Sequence, residues 1–432
     1  MSPLPRALLP ALIAAAVAHP APPAAPPTGV PAPGLAFALA LKGNGQPLAS
    51  GPYLLRVPGG SGPLRLELSR LAADGARLRG EARLVNGSGL LLAGLALDFE
   101  SASPAPADSA GRSAVLPAPL ALREPLAFGE LLPGESTGYL PFELSPVPLG
   151  ETVSLTTLLG AVSGLAVEPP AAVDGATHPV ALDSDTSGRL YVATAGVGRV
   201  LRFVPAFPSA PGEAARPSTP PAGVALRRRT GDLFVSTGGP AIEVYRAGRK
   251  RPAFLQAGRA VAALRADAKG TLRAAAGNGV LAFDEAKAGP LRALGPEGAE
   301  VLSFDADPKG VLHAVVREGA SRRLVVDAAA GPARFVAANG PGADALDAPS
   351  ACRFDGEGML WVAAAGATPR SSVLACFAGE EPLAALPRLA LALLLGRDED
   401  ADVPAIVDLA PGPERRVYVL LETGAVFAAR PF

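Results

Sequence analysis

Six stretches of the chain overlay on a two-residue register: Leu190-Tyr191, Leu233-Phe234, Leu272-Arg273, Leu312-His313, Leu360-Trp361 and Val417-Tyr418, at intervals of 43, 39, 40, 48 and 57 residues. A short apolar run and a polar turn precede each dipeptide: VALDSDTSG, VALRRRTG, AALRADAKG, LSFDADPKG, CRFDGEG and IVDLAPGPE. A second apolar run follows each: RVLRFVP, AIEVYRAG, GVLAFDEA, RRLVVDAA, SVLACFAG and GAVFAARPF. Each unit therefore reads as three short β-strands with a more variable fourth. One such unit has two apolar faces and cannot bury both alone. Stacking units face to face and closing the stack radially buries them and leaves only short edges. The period is near that of propeller blades, so the sequence predicts six blades over 152–432.

The sixth unit has no fourth strand of its own, and TVSLTTLLG (152–160) is placed to supply it and fasten the ring. The stretch 153–183 repeats the layout of 333–355, running from strand through Gly and an Asp-containing loop to Pro, an apolar strand and Asp. This rhythm resembles the NHL-repeat family of six-bladed propellers over about 152–432. Arg227 and Arg265 depart from it, standing where other units have Asp after the first strand.

The 49 Gly and 47 Pro are spread among short apolar runs along the whole chain, which suits an all-β protein with many turns. Residues 1–18 read as an export signal: Arg6, the apolar ALLPALIAAAVA, and Ala16-Val17-Ala18 as the cleavage site. No Cys follows it, so a lipid anchor is not expected, and no later apolar run is long enough to span a bilayer. A Pro/Ala linker covers 19–34. From 35 to 148 come strand-like runs with an Asn86-Gly87 hairpin turn, an order that resembles bacterial immunoglobulin-like modules. The expected fold is all-β: an immunoglobulin-like sandwich followed by a six-bladed propeller, exported to the periplasm or beyond.

The net charge of −1 gives no field for nucleic acid or an anionic membrane. Cys352 and Cys376 fall two strands apart within one unit, beyond disulfide reach, and are expected as free buried thiols. Propeller enzymes of this kind include lactonases with a divalent cation in the central channel and lyases that rely on His, so channel-mouth oxygen and imidazole ligands are the candidates to weigh. His178 precedes the first inner strand, and Asp183, Asp305, Asp355 and Asp408 lie at or beyond the ends of inner strands. His19 lies in the linker, and His313 falls in the aromatic column and is expected to pack between units. Asp183-Ser-Asp185-Thr-Ser187-Gly188 spaces oxygens like a calcium loop, but its equivalents elsewhere join two strands, so it reads as a turn.

Three further features read as ordinary surface. Gly134-Glu135-Ser136-Thr137-Gly138 matches G-x-S-x-G but precedes a strand instead of a helix, and so reads as a turn. The acidic run 397–402 follows a Leu-rich segment, and this 383–402 insertion could form a helix or lid. Arg227, Arg228, Arg229, Arg246, Arg249, Lys250 and Arg251 form a basic patch. With few channel ligands in unequal columns, the reading is a monomeric, non-enzymatic binding or scaffold protein that holds a protein, peptide or glycan. No cofactor or metal site is assigned, although a cation such as calcium would suit the oxygen ligands. The alternative is a metal-dependent, lactonase-like hydrolase or lyase acting at the channel.

Overall fold

The structure is a computed structural model. It describes residues 34–42, 52–74, 77–104, 121–122, 126–145, 155–206, 208, 210–246, 252–267, 269–284, 287–327, 334–335, 346, 348–365, 372–379, 381–398 and 401–432. Residues 1–33, which span the expected export signal and nearly all of the expected linker, lie outside them, as do residues 152–154.

Each repeat forms an antiparallel sheet that grows outward from an innermost strand. In the first, Pro179–Ser184 pairs with Leu190–Thr194, then Arg199–Phe203, then Gly212–Ala215. The other innermost strands are Gly223–Arg227, Ala263–Ala266, Glu300–Ala306, Pro349–Phe354 and Ile406–Pro411. Each touches the next in chain order, and the last returns to the first, so they close a ring. The fold is a β-propeller. The sheets of the second and third repeats also join at their outer edge, where Gln256 pairs in parallel with Lys287.

Alternation along each strand builds the core. Val192 faces the sixth repeat, packing with Ala410, Tyr418 and Leu420, while Ala193 faces the second, packing with Val224, Leu233 and Val235. His313 packs between repeats as expected, edge-on to Phe354 with ring centroids 4.8 Å apart. The insertion forms a fourth strand, Glu381–Pro387, and then the helix Arg388–Leu394. Ala390, Leu391 and Ala392 of that helix are buried beside the fifth repeat. Among the described residues no helix is long and apolar enough to cross a membrane.

Ring closure differs from the expectation. The last strand, Ala425–Pro431, pairs at Ala429–Val167, Arg430–Ala166 and Pro431–Leu165, not with 155–160, the described part of the expected segment. The upstream part of the same strand, Leu155–Val167, pairs instead with Leu35–Lys42 and with Leu91–Pro104, a strand of the first β region. At 13 residues this strand outruns a blade, so it serves both structures. Leu165 and Val167 enter the core of the fifth and sixth repeats. Val162 and Ala166 enter the core of the first region, joined there by Phe432. Gly164 and Phe432 exchange both backbone hydrogen bonds at 2.9 Å.

That first region is two sheets over a common core. The second sheet contains Tyr53–Arg56, Pro63–Asp74, Arg77–Asn86 and Leu140–Ser145. The expected Asn86-Gly87 hairpin is not formed, because Arg77–Asn86 and Leu91–Pro104 lie in different sheets and the turn carries the chain from one to the other. Asn86 anchors this crossing: its buried amide donates to the carbonyls of Leu90, Leu131 and Leu132, and its Oδ1 accepts from Ser88.

Because the closing strand has neighbours on both sides, proline at Ala166 removes a ladder bond from a central strand and should cost about 3 kcal/mol or more. The single tryptophan, Trp361, is buried in the fifth repeat and reports on it. Urea unfolding followed by its fluorescence should shift to a clearly lower midpoint in Ala166→Pro. An unchanged midpoint would mean that this strand does not close the ring.

Candidate functional site

The innermost strand of a blade has an open edge facing the channel, and its amides need acceptors. Three aspartates supply them, each reaching from one repeat to the next. Asp183 Oδ2 accepts from the Leu226 amide at 2.8 Å, Asp305 Oδ2 from Phe354 at 3.0 Å, and Asp408 Oδ2 from Leu182 at 2.9 Å. All three are buried.

Two arginines complete the cluster. Arg353 Nη2 donates to Asp183 Oδ1 at 2.7 Å, and its Nε lies 3.5 Å from Asp305 Oδ2. Arg265 Nη2 donates to Asp408 Oδ1 at 2.5 Å, from the third repeat to the sixth, and its Nη1 donates to the Leu264 carbonyl. Arg265 and Arg353 are each only 3% exposed. Burial opposes the charge of Arg265, but Asp408, Asp183 and Asp305 outweigh it and raise its pKa. For Arg353, burial and then the neighbouring charge of Arg265 prevail and lower it. Among the described residues, Arg265 Nε and Arg353 Nε and Nη1 have no hydrogen-bond acceptor. Ser184 lies at the inner-strand ends, its hydroxyl donating to the Pro411 carbonyl and accepting from Arg228 Nη2 at 3.1 Å.

The structure thus brings together Asp183, Asp305 and Asp408, and places the other two candidates elsewhere. His178 is exposed, in a left-handed conformation (φ 48°) before the first inner strand, where its carbonyl accepts from the Ala195 amide. Ala348 does the same for Ala365 in the fifth repeat, so the position has a backbone role that needs no imidazole. Asp355 sits in the turn after its strand, accepting from the amides of Glu357 and Met359 and from Trp361 Nε1. Asp185 and Asp267 make the same turn bonds to residues two and four further on. The calcium-like spacing is therefore a turn at Asp185, whereas Asp183 belongs to the ring centre. Gly134–Gly138 is also a turn: the Thr137 amide donates to the Leu84 carbonyl, and the Leu84 amide to Thr137 Oγ1.

Arg265 and Arg353 were not among the candidates. Seven residues before each aligned dipeptide stand Asp183, Arg265, Asp305 and Arg353 in repeats one, three, four and five. Acids and bases share one column, and that complementarity was the available signal.

A divalent cation does not fit this donor set. Guanidinium and peptide N–H groups already compensate the carboxylates, and a guanidinium at ligand distance repels a metal ion. Among the described residues no group of three or more His, Cys, Asp or Glu could hold one. Both cysteines are free and buried. Burial, then the charge of Asp305, pushes the Cys352 thiol up to about 12, and burial raises Cys376 as well.

No protein-family model matches the chain, and no curated protein matches it. Solved structures do. A streptogramin B lyase is 12% identical, covers 62% of this chain and 98% of its own, and has a TM-score of 0.44. A PQQ-bound aldose sugar dehydrogenase from Streptomyces coelicolor is 14% identical over 62% and 98%, with a TM-score of 0.46. A gluconolactonase from Xanthomonas campestris is 13% identical over 62% and 90%, with a TM-score of 0.44. The expectation of a non-enzymatic scaffold is corrected on this finding: these three structures are named as a lyase, a dehydrogenase and a gluconolactonase. Three of the expected channel residues, Asp183, Asp305 and Asp408, nevertheless converge with Arg265 and Arg353.

Two outcomes follow. Asp408→Asn leaves Arg265 buried without its charge partner and should cost about 3–5 kcal/mol in urea unfolding; a loss below about 1 kcal/mol would place the pair in solvent. The neutral Cys352 thiol contributes stability that is present below its ordinary value of 9.0 and is lost as pH rises through about 12. Ellman's reagent at about pH 8 should leave native protein unlabelled and label both thiols in urea. Labelling of native protein would show that the inner strand opens.

Proposed function

We propose that the chain is an exported, six-bladed, NHL-like propeller enzyme of the lactonase-like hydrolase or lyase class, acting at the ring centre without a divalent cation. One observation carries this reading: three carboxylates and two guanidiniums converge at the ring centre, and Arg353 Nη1 is buried with no hydrogen-bond acceptor among the described residues. Such a donor polarises a carbonyl oxygen and stabilises the oxyanion that forms on it, the electrostatic role a metal fills elsewhere. Asp305 is the most exposed of the three acids at 9%, and it is the base assigned to draw a proton from water or substrate. The five side chains carry one more formal negative than positive charge, which favours a substrate whose reacting carbonyl is neutral, such as a lactone or ester. The export signal at 1–18 supports action outside the cytoplasm.

The test is a panel of lactones and esters assayed with and without a chelator. Turnover should survive the chelator and fall by about 100-fold or more in Asp305→Asn, in line with loss of a general base. Turnover that is abolished by the chelator and restored by calcium, or no turnover by well-folded protein across the panel, would overturn the reading.

A further inference from the structure

The misfit between the channel and a metal has a specific content. Three carboxylates from the first, fourth and sixth repeats point to one region, the arrangement that would ordinarily draw a divalent ion. Instead, the third and fifth repeats insert guanidiniums among them. Arg353 spans Asp183 and Asp305, two repeats that are not ring neighbours, and Arg265 reaches Asp408 on the far side of the ring. All three carboxylates act on Arg265, and all three act on Arg353.

We propose that Arg265 and Arg353 are the resident cations of this propeller: their guanidiniums compensate the carboxylates as a metal ion would, so the ring needs no diffusible cation at its centre. A guanidinium is flat and forked, and satisfies carboxylates from two directions at once, as a point charge such as lysine does not. Removing one arginine therefore leaves a cavity of guanidinium shape, lined by carboxylates that have lost their counter-charge. The inference concerns charge compensation in the folded ring, so it is separable from the enzymatic reading. Turnover could fail its test while this holds, and the reverse.

The experiment is chemical rescue of Arg353→Ala, read as the thermal unfolding midpoint by Trp361 fluorescence. The variant should melt well below the parent and recover several degrees in about 10 mM guanidinium chloride. The same concentration of sodium chloride or urea should give no recovery. The parent's midpoint should be unmoved by guanidinium at that level, by calcium chloride or by a chelator. A variant indifferent to guanidinium would overturn the proposal, as would a parent that a chelator destabilises or that retains one divalent ion per chain after dialysis. Should Arg353→Ala not fold, Arg353→Lys decides. It keeps the charge without the fork and is expected to fall short of the parent, and equal stability would count against the assignment.

Discussion

The ring depends on ion pairs that cross its centre. A propeller needs a way to satisfy the open edges of its innermost strands, and an empty channel would leave amides and carboxylates to water. Here, carboxylates of one repeat hold amides of the next, and guanidiniums hold the carboxylates from across the ring. Such a cluster carries a large desolvation cost, which the crossing geometry must offset. It adds registry, because each arginine fits only when repeats that are distant in sequence stand at fixed positions.

A second dependence lies at the seam. One strand, Leu155–Val167, closes the propeller with its downstream part and builds the first β region with the rest. Its alternation divides the work, with Leu165 and Val167 facing the blades and Val162 and Ala166 facing the sandwich core. The two regions share a sheet, and Phe432 at the end of the last blade packs into the sandwich. Loss of this strand opens both.

Much of the architecture was legible in the repeat. The aligned dipeptides mark the second strand of each unit, and His313 packs between repeats as its column indicates. The closing strand was misplaced by several residues because 155–167 reads as one continuous strand, and its few polar and glycine residues do not mark where one partner gives way to another. The site was half legible. Asp183, Asp305 and Asp408 were found by seeking oxygen ligands, and Asp355 was included because a turn aspartate and a channel aspartate stand only two residues apart. Arg265 and Arg353 were missed for a physical reason. A search for metal ligands looks for like charges gathered together, whereas this centre is built from opposite ones, and pairing across a ring has no signature in sequence spacing.

Arg353 and Asp183 interact directly across the channel, both of them buried. A double-mutant cycle between them, with Arg353→Met and Asp183→Asn measured singly and together by urea unfolding, tests this interaction. A coupling energy of about 1 kcal/mol or more is expected. Effects that add to within about 0.3 kcal/mol would contradict it, because two charges that do not feel each other cannot hold the ring closed.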